Sequence, residues 1–548
     1  MKHFFGIDFG TTNSCIAWVN NYGQITTLQN ADDQFTTPSA VFFDFNNVTV
    51  GEYAKSSIPA FPEKIVINPK RKLGKKDFAY QIVGKQWNPV QIAAIILKKL
   101  SKDVAEKLGF PVEHAVLSCP NNFTIEQREL LKAAAQMAGI QVHAIINESL
   151  AAAIAYGYNK NIHQKTTLVV DLGGGTFDLS LLEISKNRID VLLNEGSSFL
   201  GGKDWDTALA KYIAHQYSQQ TGDVEDLMLI PEMRIELTLL AEEAKKQLTR
   251  HEKANVRLWY KSKRLNIEIS RTDFEKLAVN LFIKVEKIIR TLLNKAITKG
   301  IKNIDEVLLV GGGTYMPKIQ ALVNRLIKAP VKIFKPDQAV AQGTALLAHQ
   351  HALNFHLKQK ISVITGQPIH QLNIKYTDPN LVYKLKDEIA RTLPFELGFD
   401  NFPQQISSNK IDYSLGLLAQ KNGEPVIYNF VRTGQSLPLN KKLNFGTQAN
   451  NQQKVKIEIF ENQSQQKITN VKQSEMIGHI YLEDIPPNLP ENTPIIINIE
   501  MDELANLMIS AKVKKDGLPI YAEFIFTEIP DKKWINQKTE QIENLNII

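Results

Sequence analysis

Two kinds of hydrophobic patterning alternate along residues 1–350. Short continuous apolar runs predict buried strands, and longer segments with apolar residues every three or four positions predict amphipathic helices. Their alternation predicts an α/β domain. Asn88-Pro89 opens one such helix, whose face is Ile92, Ile96, Leu97, Leu100, Val104 and Leu108, and Gly109 stops it. Val112 to Leu117 reads as the buried strand that follows. Thr124, with Gln127 three residues later, forms a capping box for a helix ending at Gly139.

Beyond residue 350 the pattern changes. Residues 351–390 are poorly patterned, carry His351 and His356 just after His349, and are expected to be an insert or linker. From 391 the period becomes two. Val455, Ile457 and Ile459 alternate with Lys454, Lys456 and Glu458, and Leu507, Ile509, Ala511 and Val513 with Met508, Ser510 and Lys512. That is the signature of half-buried antiparallel strands, so 391–529 is expected to be an all-β sandwich. Residues 530–548 are expected to be a short polar tail.

An internal repeat narrows the α/β part. Phe5-Gly6-Ile7-Asp8-Phe9-Gly10-Thr11-Thr12 is echoed by Val169-Val170-Asp171-Leu172-Gly173-Gly174-Gly175-Thr176. Each is an apolar strand, an aspartate, a small-residue turn, and then a second strand. Two copies imply a duplicated fold with a cleft between two lobes. Glycine lets backbone approach a ligand closely, and the threonines add hydroxyls and amides suited to phosphate oxygens. An aspartate beside a phosphate requires a cation between them, as Mg²⁺ held through water provides. A third turn, Gly311-Gly312-Gly313-Thr314, lies between a strand and the helix expected from Pro317, where a helix N-terminus suits a nucleotide. A single glycine triplet is usually a plain turn. Three such small-residue turns, two with matched aspartates, point to a nucleotide cleft.

Composition removes alternatives. The 548 residues carry a net charge of +7, 43% apolar and 22% charged residues, and no basic stripe of the kind that tracks nucleic acid. No apolar run reaches the roughly eighteen residues of a membrane helix. Two cysteines, Cys15 and Cys119, are expected to be buried reduced thiols, and the protein to be cytoplasmic.

At this point the motifs become specific. Gly6 to Cys15, Asp171 to Asp178, Leu309 to Pro317 and Pro336 to Gly343 together resemble the seventy-kilodalton heat-shock (DnaK-type) chaperone family over residues 3–349, and more weakly over 391–529. The resemblance implies an actin-like ATPase domain at 1–350 followed by a peptide-binding β-domain, with the helical lid missing. It implies ATP/ADP with Mg²⁺, and K⁺ as a second cation. Lys70 would orient the attacking water at the γ-phosphate, with Glu148, Thr176 and Asp178 beside it, and Asp8 and Asp171 would hold Mg²⁺ through water. Gly10, Thr11, Thr12, Asn13, Gly173, Gly174, Gly175, Gly201 and Gly202 would cradle phosphates. Glu242, Lys245, Lys246, Thr249, Gly311, Gly312, Gly313, Tyr315 and Asp337 would hold the nucleoside. Phe399, Phe402, Gln448 and Val455 fall where the peptide cleft is lined, Phe402 and Val455 being the stronger two. Pro120 and Arg128 would relay nucleotide state to the surface.

The sequence also departs from the family. Ser149 follows Glu148 where proline is usual, Lys246 and Tyr315 replace paired basic residues around adenine, and Ala144 replaces a J-domain-docking arginine. The hydrophobic linker is not recognisable. Thr392 to Gly398 is expected to be the first strand of the β-domain. Expected partners are unfolded or extended peptides, a J-domain co-chaperone and an exchange factor, with the protein a monomer. The competing readings are an ATP-binding adaptor or scaffold, and an actin-like sugar or metabolite kinase. The kinase reading leaves 391–529 unexplained.

Overall fold

The structure is a computed structural model. It describes every residue except 1, 46, 76, 158–163, 186–187, 370–371, 373, 375–376, 394–397, 400–404, 422–423, 484, 514–519 and 527–531, and no side chains at 405–409, 520–521 and 523. Both copies of the internal repeat are hairpins. Phe4–Asp8 pairs antiparallel with Asn13–Val19, and Lys165–Leu172 with Phe177–Ser185. Each seeds a sheet. In the first lobe the order runs from Gln141–Asn147 through His114–Cys119, Phe4–Asp8 and Asn13–Val19 to Ile25–Thr27. In the second it runs from Val331–Ile333 through Glu306–Val310, Lys165–Leu172 and Phe177–Ser185 to Arg188–Ser197. The parallel pairs in both sheets are joined by helices, as crossovers require.

The helix read from Asn88 is Pro89–Leu108, with both halves of an Asn88–Gln91 capping box in place and Gly109 at φ 80° ending it. Thr124 and Gln127 cap Ile125–Met137 in the same way. A third core lies between the lobes, where helix Ala339–Thr365 packs on helix Glu148–Gly157 and on strand Phe4–Asp8. The contact requires glycine, because a methyl on Gly343 would lie 1.7 Å from the Ala151 carbonyl oxygen.

The structure departs from the expected layout in three places. Helix Ala339–Thr365 runs straight through position 350, and Pro379–Arg391 is also helical, so much of 351–390 is packed helix. Thr392 and Leu393 are not in a strand, and 394–397 lie outside the described residues. Strand Gln405–Lys410 instead extends the second lobe's sheet, parallel to Arg188–Ser197. Among the described residues the sandwich's first strand is Ser414–Lys421, and Leu415, Leu417, Ile459, Ile480, Ile497 and Ile499 meet between its two sheets.

The third departure is the C-terminal segment, which is ordered. Lys532–Glu543 is a helix, and Asn546–Ile547 pairs parallel with Asn47–Val50 of the first lobe. Ile535, Ile542 and Ile547 are buried in the first lobe's core, and Lys102 donates to the Ile547 carbonyl at 2.9 Å. The sandwich is therefore tied to the second lobe at its start and to the first at its end. Ile542 has no exposed surface, so Ile542→Ala should cost about 2–5 kcal/mol of stability. Denaturant unfolding reads this directly, and an unchanged midpoint would mean that the segment is undocked in solution.

Candidate functional site

The two hairpin turns face each other across a cleft of about 880 Å³. They touch closely enough to explain their glycines: a methyl on Gly174 would sit 2.0 Å from Thr12 Oγ1, and one on Gly175 2.6 Å from Thr11 Oγ1. The third turn joins them, since a methyl on Gly311 would fall 2.4 Å from Asp171 Oδ1. The cleft wall includes Asp8, Gly10, Thr11, Thr12, Asn13, Lys70, Glu148, Asp171, Gly173, Gly174, Gly175, Thr176 and Gly202. Its other side carries Glu242, Lys245, Lys246, Thr249, Gly311, Gly312, Gly313, Tyr315 and Asp337. Asp178 and Gly201 are set just behind the wall. Asp178 Oδ1 accepts from the Asn121 N–H at 3.2 Å, and Gly201 packs on the Gly175 backbone.

At the cleft's base Lys70 Nζ meets Glu148 Oε1 at 2.6 Å, both side chains almost fully buried. Burial opposes the charge on Lys70, but Glu148 and Asp8 outweigh it and hold its pKa above the ordinary lysine value. Asp8, whose Oδ1 accepts from Ser118 at 2.7 Å, is pushed up to about 6 by burial and by Glu148, against the pull of Lys70. Asp171 is raised further by burial, Glu148 and Asp178, and Asp178 reaches about 8 through burial and Glu148. Several carboxyls thus crowd one ammonium. Among the described residues, Thr12 Oγ1 and Asp178 Oδ2 are sealed from solvent without a hydrogen-bond partner.

Sequence reading missed the pairs that hold the lobes together. Arg71 donates to the Gly175 carbonyl at 2.6 Å and to Asp204 at 3.2 Å. Lys55 meets Glu242 at 2.8 Å across the lobes, and within the second lobe Lys245 meets Asp206 at 2.6 Å. Burial raises Glu242, but Lys55 and Lys246 prevail and bring it down to about 2. The available signal was Arg71 beside Lys70 and the aspartates just after Gly201-Gly202.

Among the described residues, Phe399 and Val455 lie in separate clusters. Phe399 packs on the cluster around the 339–365 and 379–391 helices, with Lys386 over its ring, while Val455 belongs to the sandwich core. Phe402 lies outside the described residues, and Gln448 is exposed in the loop before Val455. Arg128 is buried and donates to Asn147 Oδ1 at 2.6 Å, next to Glu148. Cys15 and Cys119 are buried free thiols. Among the described residues no helix is long and apolar enough to cross a membrane.

Comparison with known proteins agrees with this geometry. The family model described as Hsp70 protein matches residues 4–364. The chain is 32% identical over 522 residues to the chaperone protein DnaK of Thermosipho melanesiensis, covering 93% of this chain and 78% of that protein. It is 39% identical over 354 residues to DnaK of Thermotoga neapolitana, covering 63% of this chain and 58% of that protein. DnaK of Thermosipho africanus is 38% identical over 357 residues, 63% of this chain and 59% of that protein. With two phosphate turns, a paired base lysine and a match over most of its length, the chain belongs to the Hsp70 family.

Proposed function

We propose that the protein is an ATP-hydrolysing chaperone whose cleft state governs capture of extended peptide segments by the β-sandwich. The observation that carries this reading is Lys70, pinned by Glu148 at the meeting point of the two glycine turns. ATP bound there would lay its phosphates along the Gly10–Asn13 and Gly173–Thr176 turns, with its nucleoside toward Glu242, Tyr315 and Asp337. Lys70 presents a fixed positive charge to the phosphoryl group in transfer and orients the attacking water, Glu148 and Asp178 help place that water, and Thr176 lies beside the γ-phosphate.

The donor set fits a cation. Asp8 and Asp171 stand on opposite turns, and their raised pKa values reflect burial and repulsion from Glu148, which a bound cation relieves. Mg²⁺ held by Asp8 and Asp171 through water would supply positive charge to the phosphates, and K⁺ is a second candidate cation. Asp8→Asn and Asp171→Asn are each expected to weaken Mg²⁺-dependent ATP binding roughly 10-fold or more, as loss of an ionic partner does. Titration of ATP with and without Mg²⁺ checks this. An unchanged Mg²⁺ increment in both variants would make the aspartates structural.

On the peptide side, Val455 is supported by its place at the start of the sandwich strand Val455–Asn462. Phe399 packs instead on the cluster around the 339–365 and 379–391 helices. Extended peptides, a J-domain protein and an exchange factor are the partners this reading assigns, acting in the cytoplasm. The deciding measurement is ATP turnover with and without a panel of unfolded peptides. Peptide stimulation supports the chaperone reading, and phosphorylation of a sugar without peptide response would replace it with a kinase.

A further inference from the structure

Among the described residues, Lys203 is a cleft-wall lysine whose Nζ has no hydrogen-bond partner. It follows the Gly201-Gly202 pair at the start of helix Gly202–Thr221, and its backbone N–H donates to the Gly174 carbonyl at 3.0 Å, directly behind the second glycine turn. Its partly exposed stem lines the cleft, while its Nζ is tucked out of solvent and makes no hydrogen bond. The charged groups facing it are Arg71 and Lys55 of the first lobe, Asp206 of its own helix, and Glu242 of helix Pro231–Arg250.

Both carboxylates are already engaged. Asp206 holds Lys245 at 2.6 Å, and Glu242 holds Lys55 at 2.8 Å and Lys246 at 2.9 Å. Arg71 is paired with Asp204. Lys55, Arg71, Lys245 and Lys246 are thus paired with Asp204, Asp206 and Glu242, Glu243 also acts on Lys246, and among the described residues Lys203 Nζ is left without a hydrogen bond. A buried amine in that position is costly unless an anion joins it or its proton leaves. The space in front of its stem is where the phosphate chain would lie.

We propose that Lys203 is a nucleotide-contacting residue, whose side chain turns into the cleft so that its ammonium pairs with the phosphate chain and favours polyphosphorylated over unphosphorylated ligands. This rests on the reading of the cleft as an ATP site. Burial first, and Arg71 next, bring its pKa down to about 7, with Asp206 and Glu242 only partly offsetting them. At pH 7.5 the amine is thus mostly neutral in the nucleotide-free closed cleft. A phosphate partner raises the pKa, so binding takes up a proton at this residue.

Calorimetric titration of Mg²⁺-ATP and of adenosine at pH 7.5, in two buffers of different ionisation enthalpy, tests the assignment. Lys203→Met is expected to weaken ATP binding about 10–100-fold, the loss of one charge-assisted hydrogen bond, with adenosine changed less than about twofold. Relative to wild type, its ATP binding should shift toward proton release by roughly half to three quarters of a proton. Lys203→Arg should keep the affinity and show the same shift, since arginine stays charged. Thermal unfolding without nucleotide should leave Lys203→Met at or above the wild-type Tm, so a binding defect is not a folding defect. Wild-type ATP affinity and proton balance in Lys203→Met would overturn the assignment, as would equal loss of ATP and adenosine. A wild-type protein that binds no ATP would instead overturn the nucleotide reading of the cleft.

Discussion

Lys70→Ala is expected to lower single-turnover ATP hydrolysis about 10²–10³-fold while leaving ATP affinity within a few-fold. The magnitude is that of removing one preorganised charge aimed at a phosphoryl group in transfer, about 3–4 kcal/mol of barrier. Lys70 suits that role because it is fixed: Glu148 holds its Nζ at 2.6 Å, and the Phe123 ring lies 5.6 Å from it. A charge so held costs no reorganisation at the moment of reaction. Removal also leaves the buried Glu148 without its partner, so the variant's unfolding midpoint belongs beside its rate. Lys70→Arg should not restore turnover, since a planar fork cannot take the place of a point charge in a site this closed. Near wild-type hydrolysis in Lys70→Ala would remove the residue from the chemistry.

The phosphate turns were legible because their chemistry is local. A strand, an aspartate, glycines and threonines lie within about ten residues of one another, so the hairpins around Gly10 and Gly174 could be read without knowing what packs on them. The helix start at Asn88-Pro89 and the capping box at Thr124 were legible for the same reason. Where pairing partners are distant, the reading failed. Gln405–Lys410 has little apolar pattern because its place is set by backbone bonding to the edge strand Arg188–Ser197. The apolar Thr392–Gly398 looked the better strand. The C-terminal helix shows only Trp534, Ile535 and Ile542 among polar residues, too few for a period, and the first lobe's core supplies the burial that holds it. The cleft's cross-lobe ion pairs, such as Lys55 with Glu242, join residues 187 positions apart and leave no trace in sequence spacing.

Docking of the sandwich on the nucleotide lobes should weaken as pH rises from about 6 to 8.5. The contact centres on the start of helix Ile125–Met137, where the Ile125 N–H donates to Glu461 Oε2 at 3.1 Å and Lys132 donates to Asn506 at 3.2 Å. Glu461 is buried there. Burial raises its pKa to about 8, Glu475 and Glu126 add to the rise, and Ile125 and Arg128 only partly offset it. Asp412, partly exposed and accepting from Asn194 at 3.2 Å, is raised to about 7, mainly by burial. Its greater contact with water makes it the weaker contributor. If undocking returns both groups to water and to ordinary carboxylate values, docking takes up protons. The penalty is then absent below the undocked values near 4, grows through the neutral range, and is complete above about 8. Each group contributes at most a tenfold loss in the docking constant per pH unit. Glu461→Gln keeps an acceptor for the Ile125 N–H but removes the titrating charge, so it should flatten most of the dependence. Distance measurement between labels on the sandwich and the first lobe, across that pH range, reads the docked fraction. A docked fraction that rises with pH, or a slope unchanged in Glu461→Gln, would show that these carboxyls do not control the contact.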